Sequence, residues 1–126
     1  MNWHITFYNE KVEKKTLSFP RGILANFLHI LEMMEEYGPA LGKPYTASMG
    51  DGLFEVRAKG KEGIGRSLFC TIKGQEIIIL HSFTKKTQKT PKKEIDLARK
   101  RMKEVEQPWL VPHSMILKRK HYVIQT

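Results

Sequence analysis

Residues 53–86 read Leu53-Phe54-Glu55-Val56-Arg57-Ala58-Lys59-Gly60-Lys61-Glu62-Gly63-Ile64-Gly65-Arg66-Ser67-Leu68-Phe69-Cys70-Thr71-Ile72-Lys73-Gly74-Gln75-Glu76-Ile77-Ile78-Ile79-Leu80-His81-Ser82-Phe83-Thr84-Lys85-Lys86. Three strand-forming runs, Leu53 to Lys59, Ile64 to Lys73 and Glu76 to Thr84, are separated by clusters of turn residues. Connections this short require antiparallel neighbours. The glycines from Gly60 to Gly65 lack the Lys-Ser or Lys-Thr end of a phosphate-binding loop and any strand-to-helix setting, so they read as a hairpin turn. Alternation puts Phe54, Val56 and Ala58 on the core side of the first strand and Glu55, Arg57 and Lys59 on the other. Across a turn at 60–63, Arg57 and Arg66 become neighbours, and two adjacent guanidiniums need an acid between them or an anionic ligand. Glu55 or Glu62 fits the first requirement. Arg66 shares its parity with Ile64, Leu68, Cys70 and Ile72, at the start of its strand, where solvent is expected to be within reach.

Working outward, Trp3, Ile5 and Phe7 alternate with polar residues as in a half-buried strand, and Asn9 follows as a helix N-cap for a short charged helix over Glu10 to Leu17. Pro20 opens a longer helix in which Ile23, Leu24, Phe27, Leu28, Ile30, Leu31 and Met34 recur at helical spacing, and Gly38-Pro39 ends it. Residues 38–52 carry Gly38, Pro39, Gly42, Pro44, Gly50 and Gly52 and are predicted to be loop, with Leu41 and Tyr45 tucked against the core. Beyond the meander, Thr90 before Pro91 reads as an N-cap and first-turn pair, and Ile95, Ala98, Met102 and Val105 form a narrow apolar stripe on a basic helix. The predicted order is β-α-α-β-β-β-α: an α+β domain with a mainly antiparallel sheet and its helices on one side. Residues 1–106 account for that domain. Residues 107–126 form an extension, in which Met115-Ile116-Leu117 and Tyr122-Val123-Ile124 are candidate short strands.

The chain of 126 residues, 40% hydrophobic and 28% charged, suits one domain with one core. Its longest apolar run, Ile77 to Leu80, is far too short to span a bilayer. A start without a basic, apolar leader, together with the lone Cys70 in an apolar strand, makes the cytoplasm the expected compartment and Cys70 a packed core residue. The net charge of +9 is unevenly placed: residues 1–56 hold five bases and seven acids, residues 57–103 fourteen and four, and residues 104–126 three and two. That asymmetry predicts one basic surface for a polyanion, nucleic acid or ribosome.

The third strand changes character after Leu80. His81, Phe83 and Lys85 share one face and Ser82, Thr84 and Lys86 the other. Histidine moves protons near neutral pH, an aromatic ring stacks on a base, and lysines bind phosphate or offset developing charge. The remaining histidines, His4, His29, His113 and His121, are scattered, with no metal-ligand spacing, so no metal and no cofactor is expected.

These residues resemble the RelE/HigB-type ribonuclease toxins of bacterial type II toxin-antitoxin systems, particularly the phage-derived HigB-like branch. The likeness rests on Gly52-Leu53-Phe54-Glu55-Val56-Arg57, on Gly65-Arg66 opening an apolar strand, on Ile79 to Thr87, and on Thr90-Pro91 opening a basic helix, and it covers about residues 2–105. It implies the RelE-like fold and metal-independent cleavage of mRNA, usually on the ribosome, by attack of the RNA 2′-hydroxyl on the adjacent phosphate. It also implies a cognate antitoxin, often a helix-turn-helix protein, and higher-order toxin-antitoxin assembly. Carried onto this chain, Arg57 and Arg66 would grip the scissile phosphate. His81, Lys85 and Lys86 complete the expected catalytic set, and Phe83 would stack on a base. With Phe83, the cations Lys59, Lys89, Lys92 and Lys93 make up the expected RNA-binding set. Two other readings stay open: a related toxin acting on DNA gyrase, and a module that binds nucleic acid or a partner without cutting.

Overall fold

A computed structural model describes residues 2–85, 89–106 and 121–122. Its elements are β1 (His4–Phe7), α1 (Glu10–Leu17), α2 (Arg21–Tyr37), β2 (Thr46–Gly50), β3 (Leu53–Gly60), β4 (Gly63–Ile72), β5 (Glu76–Lys85), α3 (Lys92–Glu106) and β6 (His121–Tyr122). One sheet runs in the order β2-β3-β4-β5-β1-β6. The β1–β5 pair is parallel and the other neighbours are antiparallel. The α+β class and the mainly antiparallel sheet are as read from the sequence.

Local signals account for most boundaries. Asn9 caps α1, its side-chain oxygen accepting from the Val12 N–H at 2.8 Å. Pro20 sits at the N-cap of α2, and Gly38, at φ +92°, ends it with its N–H donating to the Met34 carbonyl. The α2 stripe Ile23, Phe27, Ile30, Leu31 and Met34 is fully buried. Each such side chain contributes about 1.5–3 kcal/mol by leaving water.

The loop expected over residues 38–52 is partly a strand. Thr46, Ala47 and Ser48 pair with Val56, Glu55 and Phe54, and after an irregularity Gly50 pairs with Leu53. The turn between them is Asp51-Gly52, with φ of +52° and +85°. Positive φ at both central residues is what a tight hairpin needs, and an Asp-Gly pair supplies it, so a hairpin signal stood inside the glycine-rich stretch. Leu41 and Tyr45 do pack against the core. At the C-terminal end, β6 pairs antiparallel with β1 through His121 and Tyr122. The strand proposed at Met115 to Leu117 lies outside the described residues.

The helices do not share one side of the sheet. A Cβ on Gly65 would meet the Ile23 and Phe19 side chains, and Ser67 and Ser82 hydrogen-bond to each other, with Thr16 of α1 donating to Ser82. The intervening Arg66 instead bonds to Thr90, and His81 pairs with Glu94 of α3. Since successive strand residues point to opposite faces, α1 and α2 cover one face and α3 the other. Close packing fixes the β3–β4 hairpin against α2. A Cβ on Gly60 would lie 2.5 Å from the Ile23 backbone nitrogen, and Glu62 in the turn accepts from the N–H groups of Gly22 and Ile23. This carboxylate satisfies orphan donors at the α2 N-terminus, and the hydrogen bond from Gly22 holds it below its usual pKa. Among the described residues, no helix is long and apolar enough to cross a membrane.

Candidate nucleic-acid interface

The register brings the singled-out residues into three adjacent rows on the α3 face. Glu55, Leu68 and His81 form the first row across β3, β4 and β5; Arg57, Arg66 and Phe83 the second; Lys59, Ile64 and Lys85 the third. Successive rows lie about 7 Å apart along the strands.

The third strand reaches this arrangement through a bulge. Phe69 pairs with Ile79 but Leu68 pairs with His81, so Leu80 is an extra residue on β5. Without it, simple alternation would place His81, Phe83 and Lys85 on the face of Ile77 and Ile79, beneath α1 and α2. A bulge re-aims the chain beyond it and leaves backbone groups outside the ladder. Here the Leu80 carbonyl accepts from Arg101 Nη1 at 2.7 Å, and the same guanidinium sits 5.0 Å from the centre of the Tyr8 ring.

α3 closes the first row and part of the second. Glu55 is fully buried; its Oε1 accepts from Arg57 Nε at 2.6 Å and lies 3.5 Å from Arg66 Nη1. Thr90 donates its hydroxyl to Glu55 Oε2 and accepts from Arg66 Nη1 at 3.1 Å. Glu55, not Glu62, is therefore the acid between the two arginines. Arg66, expected to reach solvent, is 0% exposed, because the segment leading into α3 lies over it. Burial, with help from Arg57, pushes its guanidinium below its usual pKa, against the pull of Glu55. The Thr90 side chain, expected to cap the helix, is spent on this cluster. Pro91 stands at the N-cap position instead, and its carbonyl accepts from the N–H groups of Glu94 and Ile95.

His81 is also covered. Its Nε2 lies 3.1 Å from Glu94 Oε1, and its ring stacks on Phe83 at 5.4 Å between centroids. Burial lowers its pKa, Lys15 and Arg101 lower it further, and Glu94 opposes without prevailing. The imidazole is thus biased toward its neutral form. Phe83, expected to offer a ring to a base, is 6% exposed and belongs to the core.

The third row stays open. Lys59 and Lys85 are exposed, and Arg57 keeps 31% of its side chain in solvent. A cleft of about 380 Å³, lined by Glu62, Gly63, Ile64, Thr84 and Lys85, adjoins them. Of the other expected RNA-binding cations, Lys89 and Lys93 are exposed, and Lys92 is exposed within an ion pair to Asp96 at 3.7 Å. Lys86 lies outside the described residues. Among the described residues no three His, Cys, Asp or Glu side chains gather as metal ligands. Sequence reasoning gave Thr90 only a capping role and passed over Glu94 and Arg101. No local pattern marks their roles, which depend on where α3 lands.

No curated protein matches the chain at significant similarity. A crystal structure of an archaeal RelE-RelB complex from Pyrococcus horikoshii OT3 is similar at a TM-score of 0.49 and 22% identity, over 67% of this chain and 96% of that one. The family model described as "Phage derived protein Gp49-like (DUF891)" matches residues 14–103. That span runs from α1 through most of α3 and contains every row of the site, and the chain belongs to this phage-derived Gp49-like family, a RelE/HigB-like family of toxin-antitoxin toxins.

Proposed function

We propose that this toxin is a metal-independent, ribosome-dependent mRNA endoribonuclease that inhibits translation in the cytoplasm and is neutralised by a cognate antitoxin. The observation that carries the reading is the convergence of Arg57, Lys59 and Lys85 on the open end of the three-row face, with Arg66 beneath. RNA cleavage by its own 2′-hydroxyl forms a bond from the 2′-oxygen to phosphorus and breaks the bond to the 5′-oxygen of the next nucleotide. One proton leaves the 2′-hydroxyl, one reaches the departing 5′-oxygen, and a 2′,3′-cyclic phosphate remains. Negative charge grows on the non-bridging oxygens as the phosphorane forms, and fixed guanidinium and ammonium groups stabilise it where water is partly excluded. Arg57, with its Nε held by Glu55, keeps both Nη groups for a two-pronged grip on phosphate. Lys59, Lys85 and the exposed cations around the start of α3 hold the flanking backbone.

The test is primer extension on a defined mRNA, alone and on programmed ribosomes, beside Arg57→Ala. New 5′ ends only on ribosomes, reduced by about 10²-fold or more in the variant, are the expected result. A second reading draws on the burial of His81 and its pairing with Glu94, which withhold an imidazole from the open surface. On that reading the face binds RNA and cuts nothing, and salt-dependent binding without new ends would establish it.

A further inference from the structure

We infer that Glu55 and Thr90 are positioning residues for the phosphate-gripping Arg57, forming with the buried Arg66 a clamp that sets Arg57 and ties its placement to the start of α3. The inference rests on the nuclease reading above. Both residues are shielded from solvent, Glu55 at 0% and Thr90 at 5% exposure, so neither is placed to touch RNA. Their contacts close a ring: Glu55 to Arg57 Nε, Glu55 beside Arg66 Nη1, Arg66 Nη1 to the Thr90 hydroxyl, and that hydroxyl back to Glu55.

Three features of the ring point to positioning. A carboxylate with no exposure is costly to bury, and a site that only needed positive charge would do better without it between two arginines. The Arg57 side chain is long and has many rotamers, and its Nε bond to Glu55 fixes the guanidinium plane while leaving the Nη end for a ligand. The Thr90 hydroxyl, one residue before Pro91 at the N-cap position of α3, completes the ring, which links the placement of both arginines to the docking of the helix.

The experiment compares wild type, Glu55→Gln, Thr90→Val and Thr90→Ser by thermal melting, by single-turnover RNA cleavage on programmed ribosomes, and by affinity for the same RNA carrying a 2′-deoxy group at the cleavage position. Positioning predicts that Glu55→Gln lowers the cleavage rate about 10²-fold, the order expected of a misplaced reacting group, while affinity holds or tightens because a negative charge has been removed. Thr90→Val, which keeps shape and loses the hydroxyl, should lower the rate in the same way, and Thr90→Ser should retain it. Folded Glu55→Gln cutting at the wild-type rate would overturn the inference, as would rate and affinity falling together or Thr90→Val matching Thr90→Ser. A wild-type protein that cuts no RNA in any arm would overturn the nuclease reading itself, and the positioning role with it.

Discussion

The two faces of β4 carry alternate residues of one strand and are closed in opposite ways. On one, Gly65 and Ser67 meet α2 and α1 through shape, a glycine where no Cβ fits and two serines in a hydrogen-bonded chain with Thr16, and the buried Phe69 stacks on Phe54 of β3. On the other, Ile64, Arg66 and Leu68 lie under or beside α3, and the contact at its centre is an ionic ring. Packing over the first face is continuous. Over the second it stops at the Arg57 row and leaves the Lys59–Ile64–Lys85 row in solvent. The shape-packed face is closed without ions, while the other retains charge at the cost of desolvating it, and its open end presents Arg57, Lys59 and Lys85 to solvent.

The sharpest way to break this comparison is Arg66→Ala. Removing one member of a buried ionic cluster should cost about 3–5 kcal/mol, read as a lowered urea midpoint. A loss below about 1 kcal/mol would mean that the ring contributes nothing to holding α3. This also makes Arg66→Ala a poor control for cleavage, and Arg57→Ala, at the half-open position, the better one. Next comes Gly65→Ala on the opposite face, where the new Cβ would lie 2.5 Å from Ile23 Cγ2. Overpacking of this kind costs about 1–3 kcal/mol, measured in the same titration.

A smaller effect follows from His81. Its folded pKa lies below the ordinary value of 6.5, so the unfolded chain binds a proton more readily as pH falls. This part of the stability is present above about pH 6.5 and is lost as pH drops from there toward the folded pKa. Thermal melts of wild type should show that slope, and His81→Asn should flatten it; an identical slope in the variant would assign it elsewhere. The smallest stability change belongs to Lys85→Ala on the open row, within about 0.5 kcal/mol. Its effect lies in binding: the dependence of log affinity for single-stranded RNA on log salt should weaken by about 0.7.

Much of the fold is legible because its signals are local. The Asn9 cap, the α2 stripe, the Gly38 stop and the β3–β4 hairpin each depend on a few neighbouring residues, and each is where the sequence reading places it. Even β2, read as loop, carries its own marker in Asp51-Gly52. The pairing of Arg57 with Arg66, and the need for an acid between them, also follow from hairpin register alone. The depth of the site does not. Strand parity groups Arg66 with apolar residues but cannot say whether a later helix will cover it, and His81 and Phe83 likewise read as open groups although both are buried, His81 against Glu94 of α3.

The sequence by itself determined the α+β class, the antiparallel meander, the basic second half and the grouping of Arg57, Arg66, His81, Phe83 and Lys85 as the residues to examine. Periodicity, turn chemistry and charge are written in neighbouring residues. Only the tertiary structure decided that α3 lies on the face opposite α1 and α2, that the extra residue Leu80 turns the end of β5 toward the arginines, and that Thr90 joins Glu55 and Arg66. Those outcomes depend on contacts between residues far apart in the chain, such as Arg101 with the Leu80 carbonyl and Thr90 with Glu55. Such contacts form only when the helix has docked, and no local pattern encodes where it docks.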